Sequence, residues 1–158
     1  MIDSTPDFPE QYHDLTQNGT YQLKGIFLTH AHIGHYSGLV HLGREVMGTR
    51  NVPVFAMPRM TEFLRSQGPW SQLVALGNIQ LKALEAEKPT RLNPRLTVTP
   101  LLVPHRDEFS ETVGFRIEGP RRKIMWLPDI DKWERWKTPL EKALAGVDVA
   151  YLDGTFFA

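Results

Sequence analysis

Thr29-His30-Ala31-His32-Ile33-Gly34-His35-Tyr36-Ser37-Gly38-Leu39 is the stretch on which the reading of this chain turns. Half of the six histidines fall inside it, at His30, His32 and His35, directly after the β-prone run Gly25-Ile26-Phe27-Leu28-Thr29. A short buried strand that stops at a polar loop delivers several side chains to one point. Neutral imidazole binds zinc, iron and similar ions. The cluster therefore reads as a metal site, against the alternative of a solvated loop histidine at His35.

The same arrangement recurs downstream. Leu101-Leu102-Val103-Pro104 runs into His105, and Ile124-Met125-Trp126-Leu127-Pro128 runs into Asp129. Each is an apolar strand carrying one metal-ligating residue at its end. Asp129 equally suits a structural turn. The chain has no cysteine, so disulfides and thiolate ligands are excluded and an ion must be held by imidazole and carboxylate.

Composition narrows the function classes. Lys plus Arg and Asp plus Glu number 18 each, which leaves no positive excess for a nucleic-acid backbone or an anionic membrane. No apolar run approaches the roughly 20 residues that span a bilayer, and the start lacks the pattern of a secretory leader. A cytoplasmic location is the expectation. At 158 residues the chain has the usual size of one domain, expected over 1–158.

Working outward, a short helix is expected over Asp7–Leu15, before an Asn18-Gly19 turn. Leu39, Val40, Leu42, Val46 and Met47 have helical spacing closed by Gly48. Val52–Ala56 reads as a strand, and Met60, Phe63 and Leu64 as a helix ended by Gly68-Pro69. Beyond Trp70 the pattern reads as a meander of strands at Ile79–Leu84, Leu96–Val103, Thr112–Ile117 and Lys123–Leu127. Helical content over Lys132–Leu144, interrupted at Pro139, precedes a last strand at Val149–Leu152. Trp70, Trp126, Trp133 and Trp136 read as core more than as a pocket floor.

The histidine stretch resembles the motif of the metallo-β-lactamase superfamily, H-x-H-x-D-H followed by a small residue and glycine. Pro104-His105, Val113-Gly114-Phe115 and Leu127-Pro128-Asp129 are similar to its later landmarks, in the same order. Ile2-Asp3-Ser4-Thr5-Pro6-Asp7-Phe8 resembles the branch of the pyrroloquinoline-quinone biosynthesis B proteins. Val149–Phe156 is similar to the segment that follows in phosphodiesterase-like and tRNA-processing branches. The resemblance implies an α+β fold, an αββα four-layer sandwich, in which His30, His32 and His105 hold one ion. His35 and Asp129 would serve a second, with Asp129 bridging.

Two departures bear on the site. Gly34 stands where the family carries an aspartate, and no histidine follows Asp129 to match the family's last ligand. The residues before the histidine loop are also too few for the strands the family places there, so the sandwich reads as clipped at both ends. One ion is expected rather than two, zinc first, with iron or manganese as alternatives.

The function expected is a metal-dependent hydrolase acting on a small-molecule ester, lactam, lactone or phosphodiester, with Asp129 and His35 as catalytic residues and Arg106, Asp107 and Glu108 as possible substrate contacts. A non-haem iron enzyme using oxygen, or a non-catalytic binding domain with a degenerate site, are the alternatives. A homo-oligomer covering open sheet edges is the partner expectation.

Overall fold

A computed structural model describes residues 1–17, 19 and 21–155. The chain divides into two compact units, Met1–Ala83 with Phe109–Glu111, and Leu84–Glu108 with Thr112–Ala158. The expected Asn18-Gly19 turn and the end of the Val149–Phe156 segment include Asn18 and Phe156, which lie outside the described residues.

The first unit is built on a parallel sheet of β1 (Ile26–Phe27), β2 (Val52–Ala56) and β3 (Ile79–Ala83), in that order. Ile2 forms a single parallel bridge to Phe27 on the other edge of β1. Helices α1 (Phe8–Thr16), α2 (Ile33–Tyr36), α3 (Pro58–Ser66) and α4 (Trp70–Ala75) complete it. Helix α3 starts at Pro58, whose fixed φ and missing N–H are harmless in a first turn. Met60 and Leu64, four residues apart, lie on its buried side and join Phe8, Ile26, Leu39, Leu42, Val54 and Ile79 in one core. Arg59, Glu62 and Arg65 face water.

Two expectations are corrected here. Ile79–Ala83 is not part of a meander: it pairs in parallel with β2, Val52 opposite Ile79 and Ala56 opposite Ala83. Parallel strands need a crossover, and the sequence reading missed its second half, α4. The helix expected from Ser37 to Gly48 is instead a 3-10 turn over Ser37–Leu42, and Val46 and Met47 are exposed. Leu39 and Leu42 are buried at a spacing of three, which stacks residues in a 3-10 helix and shares a face in an α-helix, so spacing alone does not separate them. Gly48, at φ +54°, does end the segment.

The second unit carries a sheet in the order β4 (Thr90–Asn93), β5 (Leu96–Leu102), β6 (Val113–Glu118), β7 (Lys123–Leu127), β8 (Val149–Leu152). The first four are antiparallel neighbours in sequence order, whereas β8 pairs with β7 in parallel after α5 (Leu140–Ala143). Lys132–Leu144 thus supplies only a 3-10 turn at Trp133–Arg135 and the short α5. Gly114 is closely packed: a Cβ there would sit 3.0 Å from the Trp126 carbonyl oxygen and 3.1 Å from Leu127 Cγ. The described residues therefore make an α+β chain of two sheets and five α-helices, the expected class.

Candidate metal centre

In the first unit the histidine loop leaves β1 through Leu28, whose N–H still donates to the Phe55 carbonyl at 2.9 Å. Thr29 and His30 follow, each 1% exposed. Burying them requires partners, and Asp3 supplies them. Its carboxylate accepts the Thr29 backbone N–H at 2.8 Å, the Thr29 hydroxyl at 3.0 Å and His35 Nδ1 at 2.8 Å. The sequence reading gave Asp3 no role beyond its place in the Ile2–Phe8 stretch, because nothing local marks one aspartate among turn residues.

This network assigns the ring nitrogens. The Thr29 hydroxyl has one proton, directed to Asp3, so its oxygen accepts at 3.0 Å from His30 Nδ1–H. His30 then presents the lone pair of Nε2, which lies 2.8 Å from His32 Nδ1. With its proton on Nδ1, His32 donates to that lone pair; with the proton on Nε2, two lone pairs at that separation require a cation against both. Likewise His35, with Nδ1–H on Asp3, carries its lone pair on Nε2 in the neutral ring. Such a carboxylate behind a histidine fixes its tautomer and raises its basicity as a ligand. His35 lies beside His30, ring centroids 4.2 Å apart.

The loop is tied twice more. The Ala31 N–H donates to Ser110 Oγ at 2.8 Å, and that hydroxyl donates to the Glu111 carbonyl at 2.9 Å. Gly34, in α2, has nothing within 4 Å of an added Cβ, so a side chain at the position where an aspartate was expected meets no obstacle. Gly38 is the opposite case, its backbone packed on Thr5, Phe8 and Ser4.

In the second unit β5 and β7, on either side of β6, end at the same edge of the sheet. The Asp131 N–H donates to the Pro104 carbonyl at 2.8 Å, locking the His105 loop to the Asp129 loop. His105 Nε2 and Asp129 Oδ2 stand 3.6 Å apart, beyond a good hydrogen bond and at a separation two ligands of one ion can have. Asp107, one of the expected substrate contacts, accepts the Thr112 hydroxyl at 2.9 Å and so braces the same loop.

Asp153, just past β8, supports the loop that carries Asp129 and was not foreseen; only the hydrogen bonds identify it. It accepts the Ile130 N–H at 3.0 Å and the Thr155 N–H at 2.8 Å. Burial pushes its carboxyl up, but the hydrogen bonds from Thr155 and Ile130 outweigh that, and the Asp129 charge opposing them, and hold it below the ordinary 3.8. A lowered folded value means a contribution to stability that is present above 3.8 and lost as pH falls through the folded value. Asp153→Asn is expected to lower Tm at neutral pH, by an amount that shrinks as the pH is taken down past 3.8. Melting curves across that range check it, and a gap independent of pH would contradict it.

Among the described residues, His30 and His32 in the first unit and His105 and Asp129 in the second offer ligand atoms suited to a metal ion. His35 is not among them. Three imidazoles and one carboxylate are donors suited to zinc, iron or manganese. His13 and His41 are not in the set: His13 is exposed on α1, and the His41 ring stacks on Phe8 at 6.3 Å. Among the described residues no helix is long and apolar enough to cross a membrane.

A fold and donor set of this kind define a class. The family model of the beta-lactamase superfamily domain matches residues 1–158, and the chain belongs to that family. Its fold is similar to that of Zn(2+)-bound PqqB from Methylobacterium extorquens, with a TM-score of 0.76 at 20% identity over 98% of this chain and 55% of that one. A diphosphatase of the PhnP family is similar at TM-score 0.60 and 22% identity, covering 94% and 53%. A metallo-β-lactamase from Cronobacter sakazakii, a mutant of its HARLDQ motif, is similar at TM-score 0.60 and 14% identity, covering 96% and 66%. The chain thus spans about half to two thirds of the length of these structures. No curated protein matches it in sequence.

Proposed function

We propose that His30, His32, His105 and Asp129 together hold one ion, zinc first, and that the chain carries the site of a metal-dependent hydrolase for a small-molecule ester, lactam, lactone or phosphodiester. The observation that carries this reading is the His30–His32 pair, two nitrogens 2.8 Å apart with the His30 tautomer set by Thr29 and Asp3. An ion bound by such ligands supplies Lewis acidity and brings the pKa of its water toward about 7.

The remaining chemistry belongs to the chain. Asp129 orients the attacking water and accepts its proton at Oδ, its loop braced by Asp153 and by the Asp131–Pro104 bond. His35, oriented by Asp3, binds a substrate oxygen or passes a proton to the leaving group. With Gly34 providing no carboxylate, a second ion has fewer donors than the first.

The same nitrogen and oxygen donors also serve non-haem iron, so the reading of an oxygen-using enzyme rests on the donor set alone. Turnover of a panel of esters, lactones, lactams and phosphodiesters by zinc-loaded protein tests the proposal. Asp129→Asn, assayed with zinc in excess, is expected to lower kcat by about 10²-fold or more. Turnover that survives in Asp129→Asn would remove Asp129 from this role, and no turnover across the panel, or turnover that requires iron and oxygen, would overturn the hydrolase.

A further inference from the structure

The second unit contains a cleft of about 530 Å³ that the metal site does not use. That volume is on the scale of a small-molecule site, roughly 300–1,000 Å³. Arg116, Arg135, Lys137 and Lys142 line it, with Glu87 as its carboxylate. In a chain whose formal net charge is zero, this is a local concentration of positive charge.

Arg135 is compensated by Asp131 at 2.6 Å. Arg116, Lys137 and Lys142 form no ion pair with a carboxylate among the described residues, so these cations share the cleft with Glu87 alone. Arg116 is fixed rather than mobile: its Nη2 donates to the Ala143 carbonyl at 2.6 Å, on the cleft wall. Its Nε is buried and has no acceptor among the described residues, so the protein does not use all the donors of this guanidinium. Trp136 closes one side, its indole N–H held by the Leu102 carbonyl at 2.8 Å.

Cations fixed at a concave, partly apolar wall attract a small anion more strongly than the same charges spread in water. We propose that this cleft binds the oxyanion group, phosphate or carboxylate, of a small-molecule ligand. Arg116 is the anchor, Lys137 and Lys142 close on the anion, and Glu87 limits how much negative charge the site accepts.

The test is titration of the metal-free full chain with inorganic phosphate and, separately, acetate, at constant ionic strength, followed by amide chemical shifts. Saturable binding of at least one of them is expected, with shifts around Arg116, Trp136 and Lys142, and the one that saturates identifies the class. Lys137→Ala/Lys142→Ala, both exposed and away from the core, is expected to weaken it at least tenfold, and Glu87→Gln to tighten it. His30→Ala/His32→Ala is expected to leave it unchanged, so the result stands apart from the hydrolase reading. Non-saturable shifts, an affinity indifferent to the lysine and Glu87 variants, or binding lost in the histidine variant would each overturn the proposal.

Discussion

Gly38→Ala is expected to leave the first unit unable to fold stably. A Cβ at this position would overlap the Thr5 carbonyl oxygen and come within 2.7 Å of Phe8 Cβ and 2.8 Å of Ser4 Oγ. The Thr5 oxygen belongs to the backbone and Phe8 Cβ is fixed to it, so only Ser4 Oγ could rotate aside. The Gly38 N–H donates to the Ser4 carbonyl at 2.9 Å, the Ser4 N–H donates to the His35 carbonyl at 2.8 Å, and Phe8 is fully buried.

Relief therefore requires the histidine loop to part from residues 1–8, which takes Asp3 away from Thr29 and His35. Overpacking together with a broken buried network belongs to the class of substitutions that cost about 4 kcal/mol or more. In a domain of this size that corresponds to a fall in Tm of about 10 °C or more. Gly34→Ala is the control four residues earlier. With nothing near its Cβ and a helical position, it should be neutral or stabilising by up to about 1 kcal/mol. Thermal melts of the two variants decide the matter, and equal Tm values would contradict the packing described.

His30→Ala/His32→Ala is expected to lose the ion altogether while the chain still folds. Half of the donor set goes with these two rings, and His105 and Asp129 alone make a carboxylate–imidazole pair of the kind that holds divalent zinc only weakly. The fold should survive, at some loss of stability from the buried His30, because the apolar core around Phe8, Ile26, Leu39 and Leu64 is left intact. Circular dichroism would report the fold and elemental analysis the metal. A double variant that retains wild-type metal would place the ion elsewhere.

The proposed ligands were legible in the sequence where the main signal is a polar residue at the end of an apolar strand. His30, His32, His105 and Asp129 all have that context, and the motif around Gly34 and Gly38 names the family. What supports them was not legible. Asp3 and Asp153 act through hydrogen bonds to residues 26 and 23 positions away, and no local pattern marks such a partner.

The same limit explains the errors in the fold. Assigning Ile79–Ala83 to the first sheet depends on α4, a helix of six residues whose only buried position is Leu73. Strand β4, Thr-Arg-Leu-Asn, is nearly all polar and exposed, so its ladder with β5 leaves no hydrophobic alternation to read. The cleft lay hidden for a related reason: Arg116, Lys137 and Lys142 are scattered along the chain, and a net charge of zero conceals their convergence.

The central claim is one ion held by three imidazoles and a carboxylate, and metal per folded chain tests it most directly. Elemental mass spectrometry on size-checked protein loaded with zinc and desalted is expected to give about one ion per chain, in keeping with a four-ligand set. Well-folded protein that retains no metal would contradict the account.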